Sequence, residues 1–247
     1  MNHLLEVCVD DVRGISAAVV GGADRLELCS ALAVGGLTPP GSLIRAAAQA
    51  PIPVHLLARP RDGNFHYDVA DAALVAEDIA VAAEAGLAGV VIGASDADYR
   101  LDSALLRDWV EHARALGAAR GRPLSLTLHR AFDLCPDPFA ALETAIDLGF
   151  DRILTSGGQP RAIDAVDVIA ELVRRAGDRI IILAGSGIDV ATLPAILAAG
   201  VREAHASCSS TETEAGAPEI RFGFQAGPRR FTDPAKVAAL KALLSAS

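Results

Sequence analysis

Short apolar runs carrying a polar residue at every second position alternate along this chain with longer Ala-rich stretches of helical period. Successive strand side chains point to opposite faces, so residues two apart share a face. Leu4-Leu5-Glu6-Val7-Cys8 thus sets Glu6 and Cys8 against Leu5 and Val7. Leu26-Glu27-Leu28-Cys29 repeats the pattern with Glu27 and Cys29 opposite Leu26 and Leu28. Further on, Ser125, Thr127 and His129 oppose Leu124, Leu126 and Leu128, and Glu203, His205 and Ser207 oppose Ala204 and Ala206.

A glycine-led junction recurs where helical stretches give way to strands. Gly22-Ala23-Asp24-Arg25, Gly86-Leu87-Ala88-Gly89, Gly149-Phe150-Asp151-Arg152 and Gly200-Val201-Arg202-Glu203 each follow an Ala-rich segment, 64, 63 and 51 residues apart. Glycine suits the left-handed stop of a helix. A strand–helix unit takes about 30 residues, so each interval holds two. The intervening strands read at Leu4–Cys8, Ile52–Leu57, Leu124–His129 and Arg179–Ala184, which makes eight in all. Helices are predicted over Ala70–Ala85, Ser103–Leu116, Pro138–Leu148, Ile163–Arg175 and Val190–Ala199. Eight alternating units predict a parallel sheet closed as a single-domain (β/α)8 barrel over residues 1–247, with a doubly wound open sheet as the structural alternative. The stretch 209–230, rich in Ser, Thr, Gly and Pro, reads as an irregular loop before the last helix.

In a parallel barrel the helix-facing side of each strand must be apolar, so the polar stripes point inward. Buried charges are costly unless paired, and barrel chemistry sits at the C-terminal ends of the strands. Glu6, Glu27, His129 and His205 therefore mark a candidate catalytic site, with Arg59 as the expected counter-charge and Arg130 and Asp133 just after strand 5. The turns Thr155-Ser156-Gly157 and Gly185-Ser186-Gly187 follow strands 6 and 7. Their backbone N–H groups, with Arg61 nearby, form a candidate anion site. Cys8 and Cys29 occupy matching positions on neighbouring strands, so their sulfurs are expected close together as soft ligands for Cu(I). Zinc is disfavoured, because the chain has no Cys-x-x-Cys pair.

Composition narrows the rest. Of 247 residues, 51% are hydrophobic and 4% aromatic, enough apolar material for a large core without disulfides. A net charge of −9 argues against nucleic-acid binding. The chain shows no signal peptide and no apolar run near the ~20 residues of a membrane span, so a cytoplasmic protein with reduced cysteines is expected. Ala-rich helix faces make a homodimer conceivable.

Several motifs taken together resemble the CutC family, usually labelled copper homeostasis proteins. They are Leu5-Glu6-Val7-Cys8, Gly21 through Cys29, Gly35-Gly36-Leu37-Thr38-Pro39, Ile52-Pro53-Val54-His55, Arg59-Pro60-Arg61, His129-Arg130-Ala131-Phe132-Asp133 and Leu154-Thr155-Ser156-Gly157, in that order. The resemblance implies a TIM barrel, a cytoplasmic location and a Cu(I) site at Cys8 and Cys29. The chain departs from the pattern at Asp62-Gly63-Asn64-Phe65, at His205-Ala206-Ser207 and in the tail from Thr211. Two functions follow. One is Cu(I) binding through the cysteine pair. The other is an enzyme acting on a small anionic metabolite, phosphorylated ones included, with Glu or His as acid and base.

Overall fold

The computed structural model describes residues 3–212, 217–225 and 227–246 of the chain, and strands and helices alternate through it. The strands are β1 (Leu4–Val9), β2 (Arg25–Leu28), β3 (Val54–Leu57), β4 (Gly89–Ile92), β5 (Ser125–Leu128), β6 (Arg152–Thr155), β7 (Ile181–Ala184) and β8 (Glu203–Ala206). They pair in sequence order, all parallel, and β8 pairs back onto β1. That last pairing closes the barrel and removes the open-sheet alternative.

Helices α1 (Val12–Val20), α2 (Gly41–Ala47), α3 (Val69–Glu84), α4 (Ser103–Ala119), α5 (Pro138–Leu148), α6 (Val166–Ala176) and α7 (Leu193–Ala198) cover the outside. Local chemistry fixes where several begin. Asp11, Asp68, Asp102 and Asp137 each accept a backbone N–H of the first turn, satisfying donors that the helix cannot. The predicted Ile163–Arg175 helix opens with a 3-10 turn at Ala162–Ala165. The predicted Val190–Ala199 helix is shorter because Asp189 Oδ1 accepts from the Ala191 and Thr192 N–H groups and holds a turn there. Between sheet and helices the outward strand residues, Leu5, Val7, Leu26, Leu28, Leu126 and Leu128 among them, are fully buried.

The stretch expected to be irregular is not so throughout. Strands β9 (Ser209–Thr211) and β10 (Arg230–Thr232) form an antiparallel ribbon with a short helix α8 (Ala217–Arg221) between them, ahead of α9 (Pro234–Ala246). Residues 213–216 and 226 of that stretch lie outside the described ones. The ribbon continues from the end of β8 and brings Ser209 and Arg230 to the barrel mouth, where Lys236 of α9 joins them. No described helix is long and apolar enough to cross a membrane.

Closing a barrel requires the strands to stagger. Here the stagger sets Glu6 beside Arg25 and Cys8 beside Glu27 on β1 and β2, while Glu6 also sits beside His205 on β8. The two cysteines therefore do not occupy matching positions. Each strand's own alternation is as expected, but β2 is displaced by two residues relative to β1.

Candidate functional site

The inward polar residues divide into a sealed network and an open cavity above it. In the network, Glu6 is fully buried and accepts a hydrogen bond from Arg25 Nε. Arg25 Nη2 donates to Glu203 Oε2 at 2.6 Å, and Arg152 Nε reaches the same oxygen at 3.2 Å. Arg152 Nη1 donates to the Ser125 hydroxyl. Arg25, rather than Arg59, is thus the counter-charge of Glu6. Arg59 is turned aside, its Nη1 donating to the carbonyls of Val34 and Gly36 and its Nη2 to that of Gly63.

His205 joins this network to the cavity. Its Nδ1 lies 2.8 Å from Glu6 Oε1 and its Nε2 lies 3.8 Å from Glu27 Oε2. Ligand atoms of Glu6, Glu27 and His205 all fall within 4.8 Å of one another. Such a trio could in principle hold a cation, but Arg25 and His205 already supply positive charge there.

The two glutamates are set apart by their surroundings. Burial alone would raise Glu6, yet Arg25 and His205 overcome it and hold its carboxyl well below the usual range. Glu27 has no hydrogen bond among the described residues, and burial pushes it up to about 7. Burial opposes charge on His205 as well, but Cys8, Glu27 and Glu6 raise it well above the ordinary histidine value. Like charges on Glu6 and Glu27 are therefore separated by a cationic ring. One carboxylate is locked as an anion, and the other is left free to exchange a proton.

The cavity at the barrel mouth has a volume of about 1180 Å³. Cys8, Glu27 and His205 line it, together with Arg59, Phe65, His129 and Arg130. Ser186, Gly187, Cys208 and Lys236 reach it from the later loops. Two glycines of β4 and its loop make room for rings. A Cβ at Gly89 would come within 2.8 Å of the His55 ring, and one at Gly93 within 2.5 Å of the His129 ring.

The expected anion site is largely filled by the protein itself. Asp133 Oδ1 accepts from Thr155 Oγ1 at 2.5 Å, Ser156 N at 3.0 Å and Gly158 N at 3.2 Å. Its Oδ2 accepts from Ser156 Oγ at 2.9 Å and Arg130 Nε at 2.7 Å. An internal carboxylate thus occupies the place foreseen for a ligand at Thr155, Ser156 and Gly157. Arg61 lies off the cavity, held by Asp71 and the carbonyls of Asn64 and His66. Gly185 N–H is spent on the Thr155 carbonyl. Ser186 and Gly187 do line the cavity, and their backbone N–H groups have no partner among the described residues.

The cysteines are also separated in environment. Cys8 and Cys208 line the cavity, whereas Cys29 lies below it among Leu57, Val91 and Leu32. Cys29 Sγ donates to the Val9 carbonyl at 3.5 Å, and burial pushes its thiol far above the usual range. Cys208 is pushed up to about 12 by burial. All four cysteines are free thiols.

Arg25, Arg152 and His55 belong to the interior and were not singled out from the sequence. Arg25 has the parity of Glu27, and that signal could have found it.

A family model described as the CutC family matches residues 3–210. A family protein CutC from Sinorhizobium medicae is 50% identical over 244 residues, covering 98% of this chain and 96% of the relative. A Streptococcus agalactiae crystal structure, of a CutC protein named for copper homeostasis, superposes with a TM-score of 0.76 at 30% identity. It covers 83% of this chain and 98% of that one. Thiamine phosphate pyrophosphorylase from Pyrococcus furiosus matches at 12% identity and a TM-score of 0.56 over 98% of this chain and 96% of that one, which shows the barrel alone.

Proposed function

We propose, on the premise that this chain belongs to the CutC family, that it is a barrel enzyme exchanging a proton with a small anionic metabolite held in the mouth cavity. One observation carries this. Glu27 opens on the cavity without a hydrogen bond among the described residues, near neutrality in its titration, while its neighbour Glu6 is locked as an anion beneath it. A general acid or base works best when it titrates near the working pH and reaches the ligand. Glu6 holds His205, His205 faces Glu27, and Arg25 neutralises the base of the chain. Arg130, Lys236 and the Ser186–Gly187 backbone provide positive potential on the rim for an anion. The free thiols suit a reducing, cytoplasmic setting.

The test has two stages. Small carboxylates and phosphates are screened by thermal shift, and those that bind are incubated with the protein in deuterated water and followed by proton NMR. A carbon-bound proton signal should fade with the parent protein and persist with Glu27→Gln. Absence of any binder, or exchange that survives in the variant, overturns the proposal.

A second reading treats copper as cargo, bound as Cu(I) through Cys8 and Cys29. It is supported by the name of the Streptococcus agalactiae relative and by Cys8 on the cavity wall. The residues fit it poorly, since Cys29 is buried under Leu57 and Leu32 and its thiol is bonded to Val9. A Cu(I) competition titration against a chromophoric chelator decides. If the parent takes up one equivalent and the Cys8→Ser, Cys29→Ser double variant takes none, this reading stands. If neither competes, it falls.

A further inference from the structure

Beyond β8 the chain builds a second polar cluster on the cavity wall. Ser207 continues the inward face of Glu203 and His205. In an extended strand the next residue on that face would lie about 7 Å further on. Cys208 instead takes a left-handed φ of 47°, and the hydroxyls of Ser207 and Ser209 meet at 3.1 Å. Two cations from separate elements converge on Ser209. Arg230 of β10 donates from Nη2 to its hydroxyl, and Lys236 of α9 donates from Nζ to its carbonyl at 2.7 Å. Ser207, Ser209, Arg230 and Lys236 all line the mouth cavity.

The two positive charges are left over by the protein. The adjacent Arg229 is bound to Asp11 Oδ2 at 3.0 Å, whereas neither Arg230 nor Lys236 forms a salt bridge among the described residues. Asp233 feels the Lys236 charge, but its oxygens accept from Ser210 Oγ and the Ala235 N–H. Lys236 keeps two N–H donors after its bond to Ser209, and Arg230 keeps four. The serine pair shares one O–H and leaves the other to a ligand. Unneutralised cations on the wall of a cavity in a protein of net charge −9 are aimed at an anion from outside.

We propose that Ser207, Ser209, Arg230 and Lys236 form a subsite for the phosphate group of a phosphomonoester, so that the metabolite of the mouth cavity is phosphorylated. This deepens the acid–base proposal for the cavity and rests on it. A phosphomonoester carries about −1.5 to −2 charges at neutral pH, which the two cations match, whereas one carboxylate would leave a positive charge over. Its three terminal oxygens accept from donors on several sides, as a serine pair flanked by two cations offers them. The cluster begins two residues beyond His205, whose Nε2 lies 3.8 Å from Glu27 Oε2, so phosphate and proton exchange fall at different heights of one wall. The turn after β7 stands beside it, since a Cβ at Gly185 would lie 3.4 Å from that of His205.

The experiment titrates the full chain with inorganic phosphate and with glycerol phosphate, read by phosphorus NMR near pH 8, where both probes are dianions. Both should bind saturably. Arg230→Gln and Lys236→Gln should each weaken binding about tenfold, the loss of one charge-assisted hydrogen bond. Both side chains are exposed, so folding is not at stake. Arg229→Gln removes the same charge one residue away, from a side chain held by Asp11, and should leave the affinity unchanged. Acetate at equal concentration should not displace phosphate. Absence of saturable binding, an equal loss in Arg229→Gln, unchanged affinity in both cavity variants, or displacement by acetate overturns the inference. Phosphate binding should survive in Glu27→Gln. Phosphate bound through Arg230 and Lys236 without proton exchange sinks the acid–base reading alone, and exchange on an unphosphorylated ligand without phosphate binding sinks the subsite alone.

Discussion

Nδ1 of His205 lies 2.8 Å from Oε1 of Glu6, although 199 residues separate them in the chain. The closure of β8 onto β1 makes the contact, and with Arg25 on the other side it leaves Glu6 no unpaired charge. Removing one member of a buried ion pair strands the other. Glu6→Gln should therefore cost about 3–5 kcal/mol in urea denaturation at neutral pH. Glu6 is held below its ordinary 4.5 in the fold, so its contribution is present above that value and lost as pH falls through its folded value. The difference between parent and variant should shrink in acid. A cost that stays constant into acid would show that Glu6 acts by packing alone.

Glu27 has the opposite sign. Its folded value of about 7 lies above the ordinary 4.5, so the folded protein binds the proton more tightly than the unfolded chain. Stability should fall as pH rises from about 4.5 to about 7, and the penalty should be complete above that. The groups facing it are His205, Glu6 and Arg25, with Cys8 beside it in the strand register. Glu27→Gln removes the ionisation and should stabilise the protein by about 1–3 kcal/mol at pH values above the transition, with little change below it. Thermal denaturation at the two ends of this range checks it, and equal effects at both would refute the raised titration.

Asp133 fills the turn after β6 as an anion of the protein's own. Asp133→Ala strips acceptors from Ser156 N, Gly158 N and Thr155 Oγ1 and frees Arg130. A loss of about 2–4 kcal/mol is expected, since buried donors are left unpaired. Inorganic phosphate should restore part of that loss, because vacated backbone N–H groups at a βα turn suit an anion. Calorimetric scans with and without phosphate read this directly, and no recovery would mean the turn collapses when emptied.

Gly93 is the seat of the His129 ring. The methyl group of Gly93→Ala would lie 2.5 Å from Cε1 and Nδ1 of His129, and Phe65 lies against the same ring. The expected cost is about 1–3 kcal/mol from overpacking. The ring should also lose its bond from Ala131 N–H, visible as a change in the His129 nitrogen signals. A variant as stable as the parent, with those signals unmoved, would show that the cavity wall yields.

Much of this protein was decided by the sequence alone. The glycine junctions and eight alternating segments specify the barrel, because strand and helix periods are local properties written within a few residues. The same period of two marks Glu6, Glu27, His129 and His205 as inward. What one strand cannot encode is its height against the next. The two-residue stagger that closes the barrel puts Cys8 beside Glu27 and Arg25 beside Glu6, so that Cys29 lies two residues beyond the level of Cys8. Side-chain reach was equally hidden. Arg59 bends back to carbonyls of neighbouring loops, and Asp133 crosses into the turn where a ligand anion was expected. Alternation fixes which face a residue takes, but partners are chosen by distances between segments remote in the chain, and only the closed barrel sets those.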